Sequence, residues 1–336
     1  MSNIFIDYFY GVYPSSVFGD LALLDPLLPP RKCILDCSTC PLHYTTSQIT
    51  TKLESPTIPI EGVLNSINKY IEDQTSLFNG VLIWGYGDPI LSRNIFEFIL
   101  ASRVHINKHK LGNKIYVHTN LVSAVKSCTE ILTGYVETPE CTIYKSLIEQ
   151  IDGFIIPFIL YTTERHIFGW PIDISITNYL TTLRELFKTN MNKLFLEIYL
   201  FRLEDSLYPE RNHIEELTVL LKHLHAKNIL LKLIDRPLGK HKLKPVPASY
   251  ADKIQGYLEN EGLKVQVEYF RPLKQFSFNY LINVIYNQLL RIPLKHSEIR
   301  ALYGDKGTIA LNNLVSKNYA TKITWISDVY YLGKIP

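Results

Sequence analysis

Three cysteines fall within eight residues near the N-terminus: Cys33, Cys37 and Cys40, in the string CILDCSTC, spaced C-x3-C-x2-C. Thiolates bind zinc and the irons of iron–sulfur clusters, and three on one loop can converge on one metal centre. Three ligands leave one position open on a tetrahedral ion or a four-iron cluster, and an open position is where chemistry can happen. A closed structural site has four ligands. His43, in CSTCPLH, could supply the fourth and make an ordinary Cys3His zinc site. The spacing alone allows both.

Further candidates lie downstream. The stretch VLIWGYGDPIL, residues 81–91, holds Gly85, Tyr86, Gly87 and Asp88 before Pro89 at the end of an apolar run. Its plain reading is a tight turn between strand and helix, with Gly allowing positive φ and Pro starting the next segment. Asn120, in His118-Thr119-Asn120, follows another apolar run and could cap the next helix. Glu197 stands inside the apolar run LFLEIYL, where a buried carboxylate needs a partner, either an ion pair or a ligand. Cys128 and Cys141 are isolated and read as ordinary small residues. The basic run RPLGKHKLK, residues 236–244, reads as a solvated loop or a phosphate contact.

Short apolar runs at residues 21–24, 81–84, 115–118, 154–158, 194–200 and 229–234 are nearly continuous, as in strands of a parallel sheet buried on both faces. Amphipathic patterns lie between them. Pro59 stands at an N1 position ahead of Val63, Ile67 and Ile71, and others cover 94–104, 174–187, 213–226 and 248–261. Strict alternation predicts βα units with right-handed crossovers; six are too few for an eight-fold barrel but suit a partial one. Residues 133–144 break the pattern and read as an inserted loop, and 264–269 as a further short strand. From about residue 276 the chain changes character. A helix over 278–290 is ended by Pro293, followed by helices at 297–302 and 308–317 around Gly304, then a hairpin turning at Ser327–Asp328. Three helices and a hairpin predict a winged-helix domain over 276–336, after a core domain over 1–275 that begins with an N-terminal extension to about residue 19.

The 336 residues are 46% hydrophobic, enough to bury a large core, and the net charge of +3 is too mild to imply nucleic acid by itself. Five cysteines in this length do not make a disulfide scaffold, so a reducing, cytoplasmic location is expected. No apolar stretch approaches the roughly 18 residues of a membrane span, and the N-terminus has no signal-peptide pattern.

With its C-x3-C-x2-C signature, the chain resembles the radical S-adenosylmethionine superfamily. GYGDP looks like that family's G-G-E-P turn, with Asp88 where Glu is common, and His118-Thr119-Asn120 looks like its T-N-G, with Leu121 in place of Gly. The opening GVYPSSVFGDLALLD is similar to wyosine-type tRNA-modifying enzymes and their prokaryotic Fe–S oxidoreductase relatives, at Gly11, Pro14, Ser15, Gly19 and Asp25. It departs at Ser16 and Val17, which replace paired Arg, and at Thr39, which replaces an aromatic residue.

The resemblance implies an α/β fold, a partial (β/α)6 barrel. It implies a [4Fe–4S] cluster on Cys33, Cys37 and Cys40, and S-adenosylmethionine held by Gly85, Tyr86, Gly87, Asp88, Asn120 and Glu197. It further implies reductive cleavage to a 5′-deoxyadenosyl radical, a ferredoxin- or flavodoxin-type electron donor, and tRNA or another nucleic acid as substrate. The rival expectations are a zinc-stabilised nucleic-acid-binding regulator without enzymatic activity, and a radical enzyme acting on a peptide or small molecule.

Overall fold

The computed structural model describes residues 4–44, 56–71, 78–122, 124, 128, 139–158, 169, 175–238 and 243–335. The six expected strands form as β2 (Gly19–Leu24), β3 (Gly80–Ile83), β4 (Lys114–His118), β5 (Gly153–Pro157), β6 (Leu194–Leu203) and β8 (Asn228–Leu233). They pair in that order and all in parallel, and β9 (Val265–Glu268) adds a further parallel strand. β7 (Ser206–Tyr208) is a short antiparallel addition to β6. β3 is buried along its whole length, as its unbroken apolar run requires of a strand covered on both faces.

β1 (Phe9–Ser15), antiparallel to β2, has no signal in the sequence because Gly11 and Pro14 read as breakers. Both have a place in an edge strand. The register shifts between Phe9 and Val12, where Gly11 takes a φ of 108°, and Pro14 lies near the strand end. The sheet curls into a partial barrel until its edges meet. Ser16 N donates to Tyr269 O at 3.1 Å and Arg271 N to Pro14 O at 2.7 Å.

The crossover helices are α1 (Ile60–Tyr70), α2 (Ile95–His109), α3 (Pro139–Gln150), α4 (Ile176–Leu186), α5 (Arg211–His223) and α6 (Ala248–Asn260). Pro59 is the cap before α1 rather than its first residue. Of the loop expected at 133–144, residues 133–138 lie outside the described residues, and the remainder is the start of α3. Pro139 is at home in a first helical turn, and α3 buries Cys141, Leu147 and Ile148. Cys141 and Cys128 form a disulfide, with Cα atoms 5.1 Å apart, so neither is isolated and the cysteine count no longer argues for a reducing compartment.

The C-terminal part runs α7 (Leu281–Leu289), β10 (Leu294–Lys295), α8 (His296–Ser316), β11 (Ala320–Trp325) and β12 (Asp328–Gly333). α8 breaks at Gly304 (φ 64°, ψ −158°), as the expected two helices require. The hairpin turns on Ile326–Ser327, one residue earlier than expected, since Trp325 pairs with Asp328. This part is continuous with the barrel core. Gln288 Nε2 donates to Val12 O at 2.8 Å, Asp7 N to Asn287 Oδ1 at 2.8 Å, and Tyr86 OH to Leu290 O at 3.2 Å. Arg291 pairs with Asp25 at 2.8 Å, both fully buried, with the guanidinium between the rings of Tyr10 and Tyr86. No described helix is long and apolar enough to cross a membrane.

Candidate functional site

The loop after β2 carries the cysteines. Arg31, buried at its entrance, makes a 2.6 Å ion pair with Asp36 inside the C-x3-C segment, and Cys40 N donates to Cys37 O at 3.1 Å. The turn after β3 is stitched to the same loop. Lys32 N donates to Tyr86 O at 2.9 Å and Asp88 N to Lys32 O at 2.8 Å. The glycines permit this contact. A Cβ on Gly87, whose φ is 142°, would lie 1.8 Å from Lys32 O, and one on Gly85 would lie 2.1 Å from Asp25 Cγ. The GYGDP string is therefore a packing solution as well as a candidate site, and only glycine meets both demands.

Cys33, Cys37 and Cys40 remain thiols and line one cavity of about 80 Å³ together with Gly85, Gly87, Asp88 and Asn120. These groups come from loops at the C-terminal ends of β2, β3 and β4, where parallel strands present their ligands. Asn120 Nδ2 points to Cys33 Sγ at 3.5 Å, and Asn120 N donates to Asp88 Oδ2 at 3.3 Å. Asn120 also caps its own turn, its Oδ1 accepting from Val122 N at 2.9 Å. Leu121 adopts a φ of 55°, a left-handed conformation that a glycine would take without strain. Tyr86 is elsewhere: its side chain packs beneath the turn against Arg291 and Leu290.

Burial, with Asp88 and Cys40 nearby, pushes the Cys33 thiol up to about 12, and burial raises Cys37 and Cys40 as well. Metal uptake here must displace protons. Burial also pushes the Asp88 carboxyl up to about 6, against hydrogen bonds from Thr119, Ile90 and Asn120. Among the described residues no three His, Cys, Asp or Glu side chains gather as ligands for one metal ion. The side chain of His43 lies outside the described residues.

Glu197 does not join this group. It lies in a second cavity of about 120 Å³, inside the barrel, which shares Thr39, Pro41, Trp84, His118 and Tyr199 with the first. There His118 Nε2 is 3.2 Å from Glu197 Oε2 and Lys232 Nζ is 3.9 Å from Oε1. Burial would raise the Glu197 carboxyl, but His118, Lys232 and Tyr199 outweigh it and hold it down at about 2. Lys232 also hydrogen-bonds Tyr13 OH and lies 4.0 Å from Glu268 Oε1. Lys232 and Glu268 carry the same signal in the sequence as Glu197, a charged residue within a strand, in ILLKLI and VQVEYF.

Of the 236–244 run, residues 239–242 lie outside the described residues. Arg236 is buried and ion-paired to Asp235 at 2.8 Å and Glu298 at 3.2 Å, so it is not part of a solvated loop.

No family model matches the chain. No curated protein sequence matches it. Its fold is similar to that of a radical SAM methyltransferase from Sphaerobacter thermophilus, with a TM-score of 0.50 and 13% identity over 74% of this chain and 65% of that one. SuiB from Streptococcus suis aligns with a TM-score of 0.47 at 12% identity, over 74% of this chain and 50% of SuiB. SuiB bound to S-adenosylmethionine aligns with a TM-score of 0.46 at 12% identity, over 76% and 55%. The chain thus spans between half and two thirds of the length of these structures. At such identity the likeness is one of fold.

Proposed function

We propose that the protein is a radical S-adenosylmethionine enzyme with a [4Fe–4S] cluster on Cys33, Cys37 and Cys40. One observation carries the reading: the three thiols surround a single cavity that Gly85, Gly87, Asp88 and Asn120 also line, at the C-terminal ends of adjacent parallel strands. The donor set suits a cluster, whose irons need thiolates spread over several corners, better than one ion needing four converging ligands. When bound, the cluster and S-adenosylmethionine supply a 5′-deoxyadenosyl radical for hydrogen abstraction, given an electron donor of the ferredoxin or flavodoxin type.

The chain's own residues do the positioning. Gly85 and Gly87 let the turn pack directly against Asp25 and Lys32, which keeps its backbone along the cavity wall. Asp88 offers a carboxylate to a ligand ammonium, a charge-assisted contact. Asn120 holds Cys33 and Asp88 in register. The order helix, strand, two helices and hairpin after Tyr280 supports a winged helix as the C-terminal unit.

Anaerobic reconstitution should give about four irons per chain, and reduction in the presence of S-adenosylmethionine should yield 5′-deoxyadenosine. Cys33→Ala, Cys37→Ala and Cys40→Ala should each abolish both. Stoichiometric zinc in a colourless folded protein that takes up no iron would refute the reading.

A further inference from the structure

The cysteine cavity holds a buried cation to which the proposed function gives no role. Arg31, two residues before Cys33, lines the cavity, and its side chain is 1% exposed. A guanidinium stays protonated at any working pH, so its charge is a fixed part of the site. Its Nη2 donates to Asp36 Oδ1 at 2.6 Å, which orients the group from inside the C-x3-C segment.

The neighbouring charges do not duplicate it. His118, which also lines the cavity, faces Glu197 at 3.2 Å. Lys32 stands next to Cys33, but its Nζ donates to Leu27 O at 2.9 Å and Leu28 O at 3.3 Å, and it does not line the cavity. Asp88 is the carboxylate in the wall. Asp36 is 28% exposed, so water screens its charge more than that of Arg31. Arg31 is therefore the permanent cation among the described lining residues. Burial raises all three thiols, and the Arg31 charge acts against it at Cys33, Cys37 and Cys40. At Cys40 it adds a side-chain hydrogen bond.

We propose that Arg31 is a positioning residue for the cluster, donating a charged N–H to the Cys40 sulfur and favouring the reduced state. This role rests on the function proposed above. The electron from the ferredoxin- or flavodoxin-type donor adds negative charge to a buried centre already held by three thiolates. A fixed cation beside a ligating sulfur favours that more negative state, and a hydrogen bond to the sulfur acts in the same direction. Lysine would supply the charge but not the planar fork that serves Asp36 and Cys40 together.

The test uses full-length protein reconstituted anaerobically, without S-adenosylmethionine. Iron content is measured first, and the reduction potential of the cluster is then read by a titration followed by electron paramagnetic resonance. Arg31→Gln should lower the ratio of reduced to oxidised cluster at a fixed potential at least about tenfold, which is about 59 mV for one electron. Arg31→Lys keeps the charge and should lose less. An arginine that only supported the loop would lower iron content in both variants and leave the potential of the clusters that form where it was. An Arg31→Gln potential equal to that of the parent, or above it, would overturn the proposal. Where that variant takes up no iron, the unmodified protein decides, prepared with isotope-labelled nitrogen only in its arginine guanidinium groups. Its reduced cluster should show hyperfine coupling to that nitrogen, since Arg31 is the arginine lining the cavity, and absence of coupling would overturn the proposal. A parent protein that takes up no iron overturns the function proposed above, and this role with it. A parent that takes up its iron, with a potential that Arg31→Gln does not move, keeps that function and loses only this role for Arg31.

Discussion

Glu197 is buried, yet its carboxyl is held at about 2 by His118, Lys232 and Tyr199 against the effect of burial. Its folded value lies below the ordinary 4.5. The stability it contributes is therefore fully present above about pH 4.5 and lost as pH falls through about 2. The shift corresponds to something of order 3 kcal/mol. Denaturant titrations between pH 5 and pH 2 should show this loss in the parent protein, and Glu197→Gln should flatten the slope. An unchanged slope would mean that the His118 and Lys232 contacts do not hold in solution. Gln cannot replace the charge that Lys232 faces, so the variant should also be less stable at pH 7.

At the scale of elements, the segment after α7 buttresses the turn after β3. Arg291 Nε donates to Asp25 Oδ2 at 2.8 Å, and Tyr86 N donates to the same oxygen at 3.0 Å. Tyr86 OH reaches Leu290 O, so one buried ion pair fixes the end of β2, the GYGDP turn and the end of α7. Removing one partner of such a pair leaves an uncompensated buried charge, at a cost of about 3–5 kcal/mol. Arg291→Ala should lower the urea midpoint accordingly and weaken iron uptake, because the turn carries Lys32 and, through it, the cysteine loop. Asp25→Asn combined with Arg291→Met should recover part of the stability. Iron uptake unchanged in Arg291→Ala would separate the buttress from the cysteine loop.

For the whole molecule, buried side chains pack across the expected division at residue 275. Phe276 and Phe278 are buried, and the Phe276 ring stacks on Phe78 at 5.9 Å. α7 is buried on nearly all its length against β1. A chain ending before Phe276 would expose that apolar surface and leave Asp25 without Arg291. It should be insoluble or unfolded by circular dichroism, with no iron uptake. A soluble truncated chain that still cleaves S-adenosylmethionine would show instead that the barrel folds alone.

The strands, most helices and the cysteine spacing were legible in the sequence because each is a local property: an apolar run, a 3.6-residue period, three thiols within eight residues. β1 and α3 were not, since Gly11, Pro14 and Pro139 signal breaks unless their place at an edge or a first turn is known. Tertiary structure alone decided the partners. Glu197 meets a histidine 79 residues away, Asp25 an arginine 266 residues away, and Cys128 a cysteine across a loop outside the described residues. It also separated Glu197 from the cysteine-lined cavity and placed it with Lys232 and Glu268, from strands whose sequences carry no mark of facing one another. Curling a parallel sheet brings the interior faces of distant strands together, and which charges then meet depends on register and closure rather than on any local pattern.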